Sequence, residues 1–210
     1  MLLIGMFDSP FVRRVAISMK LLGIDFEHAN WSVGKDFNRI REYNPLVRVP
    51  TLVLDDDEVL LESAAILDYL DELVGPEHAL LPRADKARRD SLRIMATAIG
   101  AAEKGVAIVY ESAFRPIEKH HQPWLDRCQS QVQGALMELE RICLACGKSN
   151  WLIGECMSQA DITLTCAATF LSEAVSVNLE LFPYMQSLSA RCEALPDFQN
   201  TRQAFFIPGK

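Results

Sequence analysis

The chain has 210 residues, half of them apolar and 23% charged, with a net charge of −7. That length can bury one large core or two smaller ones, and the acidic balance argues against a general nucleic-acid binder, which needs a basic face. No apolar run approaches the ~18 residues that span a bilayer, and Met1 leads into an apolar stretch with no basic leader, so a cytoplasmic protein without membrane or nucleic-acid partners is expected.

Leu2-Leu3-Ile4-Gly5-Met6 reads as a short buried strand. Pro10 then opens a helical pattern of Val12, Val15, Ala16, Met19 and Leu22. Proline suits the first helical position, where its missing N–H would be unpaired anyway. Ser9 therefore falls at the N-cap, and its hydroxyl has two readings. It caps the helix, or it faces a ligand and stabilises an anion such as a thiolate where the free N–H groups converge. Gly23 closes the helix. Phe26 to Asn30 alternates as a second strand, and 31–42 reads as a loop with a short helix. Leu46 to Pro50 leads into a strand at 51–54, the acidic cluster Asp55 to Glu58 turns, and Val59-Leu60-Leu61 returns as the other arm of a hairpin. Glu62-Ser63 starts a helix with Ile66, Leu67, Leu70, Leu73 and Val74 on its inner side. The order β-α-β-α-β-β-α predicts a mixed four-stranded sheet with helices packed on it.

Gly75-Pro76 through Leu81-Pro82 breaks the pattern, which predicts a linker over 76–84 between an α/β domain at 1–75 and an all-α domain at 85–210. Long helices are expected over 85–110 and about 122–146. The next, after Gly154, is apolar nearly all round through Ile162, Leu164, Cys166, Ala167 and Phe170, the composition of a central buried helix. Ser158-x-x-Asp161 opens it as a capping box with Asp in place of Glu, a structural feature. Helices over 182–194 and 198–205 finish the chain. Six cysteines, all in the second half, read as reduced thiols. Cys143-Leu144-Ala145-Cys146 has redox spacing but stands near a helix end, away from the N-terminus that would lower a thiol pKa. His120-His121 reads as a solvated loop, and no metal site is expected.

The Ser9-Pro10 turn after the first strand, Asn44-Pro45-Leu46 followed by Arg48-Val49-Pro50, Glu62-Ser63 opening the third helix, and Ser158-x-x-Asp161 occur together in this order. In these motifs the chain resembles the cytosolic glutathione transferases over most of its length, and most of all a bacterial serine-type member. The resemblance implies a thioredoxin-like α/β domain followed by an all-helical one, and a homodimer in which Arg88, Arg89 and Arg93 meet Asp68, Asp71 and Glu72. It implies that glutathione is the co-substrate, with no cofactor or metal, and that Ser9 donates to its sulfur. The proline matching Pro50 is cis in the family and presents the Val49 backbone to the cysteinyl part, while Glu62 and Ser63 take the γ-glutamyl end. Lys35, slightly preferred, or Arg48 takes the glycyl carboxylate. Phe7, Phe11, Tyr110 and Phe114 are the expected walls of a pocket for a small hydrophobic electrophile, with Phe205 and Phe206 of the tail beside them. The expected reaction is conjugation of the thiolate to that electrophile. Peroxidase, isomerase and dehalogenase chemistry, and a non-catalytic interaction module of the same fold, are the alternatives.

Overall fold

In the computed structural model of the protein, which describes residues 1–147 and 149–206, the apolar runs of the first third assemble into one sheet. Strands β1 (Leu2–Ile4), β2 (Glu27–Ala29), β3 (Thr51–Val53) and β4 (Val59–Leu61) lie in the order β2-β1-β3-β4. β1 is parallel to β2 and antiparallel to β3, and β3 and β4 form the hairpin. Leu3 faces Leu52 across the sheet, and Leu52 faces Leu60. Because side chains alternate along a strand, Leu3 and Leu52 pack on one face against α1 (Pro10–Leu21) and α3 (Ser63–Val74). Ile4 and Val53 pack on the other against Ile40 of α2 (Phe37–Arg41). Strands covered on both faces need apolar residues at every position, which is why the start of the chain reads as an unbroken apolar run.

Beyond α3 the described elements are helical: α4 (Asp85–Phe114), α5 (Gln122–Ala145), α6 (Gln159–Val175), α7 (Pro183–Glu193) and α8 (Pro196–Gln199), with short 3-10 turns between them. α6 is the hub. Nearly every residue from Gln159 to Leu171 is buried, and it packs against α4, α1 and α7. α4 approaches it closely at Gly105, where an added Cβ would stand 2.7 Å from a Leu171 methyl and 2.9 Å from the Phe170 ring. Asp161 accepts the N–H of Leu152 at 2.9 Å and the N–H and hydroxyl of Ser158 at 2.9 and 2.8 Å. The expected capping role of that motif is therefore present, and it also anchors the loop before α6.

Two expectations differ from the structure. α4 runs one turn further than the apolar pattern indicated. The helix expected over 198–205 stops at Gln199, and the chain continues without helix back across the first loop. Arg13 explains the stop: it is 3% exposed, and its guanidinium donates to the carbonyls of Phe198 and Thr201, which a longer helix would need for itself. The same guanidinium makes a bidentate ion pair with Glu193 of α7, at 2.7 Å on both arms. α1 is thus bolted to the helical region as well as to the sheet.

Asp71 accepts the N–H groups of Leu80 and Leu81 and so ties α3 to the segment that follows it, while Arg93 pairs with Glu138 of α5. Both groups have partners within the chain. All six cysteines are free. Burial pushes the thiols of Cys143 and Cys166 up to about 12 and that of Cys192 up to about 11. Cys146 stands at the end of α5 with its thiol against the Ile142 carbonyl, and burial raises it too. The Cys143–Cys146 pair is part of the packing.

Candidate active site

The turn between β1 and α1 is set by close approach. Gly5 has φ +131°, and an added Cβ would lie 2.6 Å from a Val12 methyl and 2.8 Å from the Cβ of Val49. Only glycine fits there, and the turn is thereby pressed against the loop before β3. Ser9 follows as N-cap of α1, with its N–H donated to the Met6 carbonyl at 3.2 Å. Its hydroxyl oxygen accepts the Val12 N–H at 3.5 Å, a long contact. Capping uses a lone pair, not the proton. Among the described residues the Ser9 hydroxyl donates to no one, so cap and anion partner are compatible roles for one side chain.

The facing loop is braced by Asn44, which is 1% exposed. Its amide donates to the Arg48 carbonyl at 2.9 Å, and its oxygen accepts the Leu46 N–H at 2.9 Å. The Val49–Pro50 bond is cis. Among the described residues, neither the N–H nor the C=O of Val49 has a hydrogen-bond partner, which leaves a short free backbone edge.

These two loops, α4, α6 and the tail enclose a cavity of about 450 Å³. Of the site residues expected from the sequence, Ser9, Phe11, Arg48, Val49, Tyr110, Phe205 and Phe206 line it. Trp31 and Phe170 add aromatic surface, and Asp8 and Ser32 add polar groups. Pro50 is buried behind the wall. Lys35 stands outside the lining with its ammonium 4.3 Å from the centre of the Phe206 ring, so Arg48 is the cation on the cavity wall.

Phe7 and Phe114 are not wall residues. Phe7 lies flat on His28, ring centres 3.8 Å apart, while its N–H is donated to Gln203 of the tail. Phe114 is 53% exposed and meets Tyr110 edge-on, one turn past the cavity. Glu62 and Ser63 also fall outside the lining. Ser63 is fully buried; its hydroxyl accepts Arg14 Nη2 at 2.7 Å, and its N–H and hydroxyl both donate to the Glu62 carboxylate, at 2.9 and 3.2 Å. Glu62 reaches that position with φ +70°, an unusual conformation for a residue with a side chain.

Asp8 and Arg14 were not singled out from the sequence. Asp8 accepts the Phe206 N–H at 3.0 Å, and burial raises its carboxyl above the ordinary range. Burial likewise raises the Tyr110 phenol, with Arg48 opposing and Asp8 reinforcing that shift, so three ionisable groups share one cavity. No sequence signal points to Asp8, because its partner lies 198 positions away. Among the described residues no His, Cys, Asp and Glu cluster could hold a metal ion, and no helix is long and apolar enough to cross a membrane.

Residues 3–78 match the family model described as glutathione S-transferase, N-terminal domain. A GST-like protein of Escherichia coli K12, YibF, described as uncharacterized, is 31% identical over 172 residues, 82% of each chain. Maleylacetoacetate isomerase of Pseudomonas aeruginosa is 26% identical, covering 91% of this chain and 90% of its own. A glutathione S-transferase from Methylobacterium radiotolerans, solved in complex with glutathione sulfonate, superposes with a TM-score of 0.88 at 26% identity, covering 98% of this chain and 97% of that one.

Proposed function

The chain belongs to the glutathione S-transferase family, and we propose that it is a glutathione-dependent transferase that conjugates the bound thiolate to a small hydrophobic electrophile. The observation that carries this reading is the Ser9 hydroxyl: it lines an aromatic cavity at the N-terminus of α1, and among the described residues its proton has no acceptor. A free thiol has pKa ~8.5. Lowering it by two units takes ~2.7 kcal/mol of preference for the anion. A hydrogen bond to a charged group contributes ~1.5–3 kcal/mol and the helix terminus ~0.3–1 kcal/mol, a combined range that brackets the requirement.

The tripeptide then runs from Arg48, through the free backbone edge of Val49, towards the start of α3. Arg48 takes the glycyl carboxylate in preference to Lys35, because it is on the cavity wall. Ser63 takes the γ-glutamyl carboxylate, and Glu62 turns from Ser63 to the ligand's ammonium. Phe11, Tyr110, Phe170 and Phe205 wall the electrophile side. The protein acts as a homodimer, which sedimentation of the purified chain tests directly.

Retention on immobilised glutathione and conjugation of an aryl halide test the reading. Ser9→Ala should lower kcat/KM by about tenfold to a hundredfold. A wild type that is neither retained nor active would overturn the transferase assignment. A Ser9→Ala protein with full activity would overturn only the role of the hydroxyl. The similarity to maleylacetoacetate isomerase favours glutathione-dependent isomerisation as a second reading; maleylacetoacetate assayed beside the aryl halide on one preparation separates the two.

A further inference from the structure

Arg13 and Arg14 are consecutive residues of α1 and are buried alike, 3% and 2% exposed, but among the described residues only Arg13 has a carboxylate in direct contact. Arg13 has the bidentate Glu193. Arg14 donates to two hydroxyls, Ser63 Oγ at 2.7 Å and Thr163 Oγ1 at 3.3 Å, and its Nε has no partner among the described residues. Among those residues no carboxylate is close enough to form an ion pair with it. Burial lowers its pKa to about 10, which leaves it protonated at neutral pH. Buried charges are ordinarily paired, so this cation needs an explanation.

The hydroxyl it touches supplies one. A serine hydroxyl has one proton and two lone pairs, and arginine can only donate. With Nη2 on one lone pair, the Ser63 proton has to point elsewhere, and in the free protein it goes to the Glu62 carboxylate. The Ser63 N–H goes to that same carboxylate oxygen. The start of α3 therefore already presents two convergent donors to a carboxylate, with a guanidinium behind them that the Glu62 charge reaches only through Ser63.

We propose that Arg14 is a positioning residue for the ligand's γ-glutamyl carboxylate: it holds Ser63 as a donor and supplies, from within the core, the positive charge that this carboxylate neutralises. The proposal rests on the assignment of Ser63 to the γ-glutamyl end. It differs from a structural clip between α1, α3 and α6 in making ligand charge, not stability, the quantity that Arg14 controls.

The test compares glutathione with its analogue in which the γ-glutamyl α-carboxylate is a primary amide, by calorimetric titration of the full-length protein. Wild type should bind the acid at least about tenfold more tightly than the amide. Arg14→Met should lose most of that discrimination, and the double variant with Ser63→Ala should lose no more than Ser63→Ala alone. Arg14→Met with wild-type discrimination, while Ser63→Ala loses it, would overturn the role of Arg14 and leave the Ser63 assignment standing. Wild-type discrimination in Ser63→Ala would overturn both. Because Arg14→Met removes a core contact, wild-type protein supplies a readout independent of folding: the Arg14 guanidinium NMR signals should shift on titration with glutathione and not with the amide. Equal shifts with both ligands, or none, would overturn the proposal.

Discussion

At the scale of single residues the first turn holds opposing charges. The Ser9 hydroxyl and the helix terminus favour an anion, while Asp8, in the same cavity, disfavours one when it is ionised. Asp8→Asn removes that charge. It should lower the pKa of the bound thiol by about half a unit to one unit, visible as an acid shift of the thiolate absorbance in the glutathione complex. An unchanged or raised thiol pKa would show that Asp8 serves only to hold the tail. The cysteines give a second check at this scale. Cys156 is exposed, whereas Cys143, Cys166 and Cys192 are buried with thiols raised to about 12, 12 and 11. Thiolates, not thiols, react. Brief alkylation of the native protein at neutral pH, mapped by mass spectrometry, should label Cys156 first and spare those three.

At the scale of elements, α6 depends on its N-terminus. Asp161 is fully buried and accepts from two backbone N–H groups and a hydroxyl. Asp161→Ala strands the Leu152 and Ser158 donors without partners, and each buried unsatisfied group costs about 1–3 kcal/mol. The expected destabilisation is about 2–4 kcal/mol, read as a lower urea midpoint. Because α6 packs on α4 and α1, the loss should extend well beyond its own turn. The Ser158-x-x-Asp161 pattern was legible because capping is local chemistry within four residues. The tail was not. Its apolar residues fit a helix, but its carbonyls are taken by Arg13, 185 and 188 positions earlier.

At the scale of the whole molecule, α1 joins the sheet to the helices, and the Arg13–Glu193 pair is a bidentate ion pair across that seam. Burial alone would raise the Glu193 carboxyl, but hydrogen bonds from Arg13 and Thr169 together with the Arg13 charge hold it below its ordinary value. A carboxyl depressed in the folded state adds stability that is full above its unfolded pKa and is lost as pH falls through the folded one. Part of the protein's stability should therefore disappear below about pH 4.3, the ordinary glutamate value. Glu193→Gln should remove that acid dependence. It should cost about 2–3 kcal/mol at neutral pH, less than the roughly 3–5 kcal/mol of a fully buried pair, because the Glu193 side chain is 24% exposed. Thermal melts of both proteins from neutral to acid pH check the prediction.

By itself the sequence determined what depends on near neighbours. Strand and helix periodicity placed the order of strands and helices along the chain and most helix bounds, Pro10 placed Ser9 at a helix start, and the run Arg48-Val49-Pro50 carried part of the family resemblance. Folding decided what depends on distant ones. It turned Phe7 onto His28 and Phe114 into solvent, set Arg48 rather than Lys35 on the cavity wall, and brought Asp8 to Phe206 and Arg14 to Ser63. Periodicity reports which face of an element is buried. It does not report which remote backbone or hydroxyl completes a buried charge, because that partner is chosen only when α1, α3, α6 and the tail pack together.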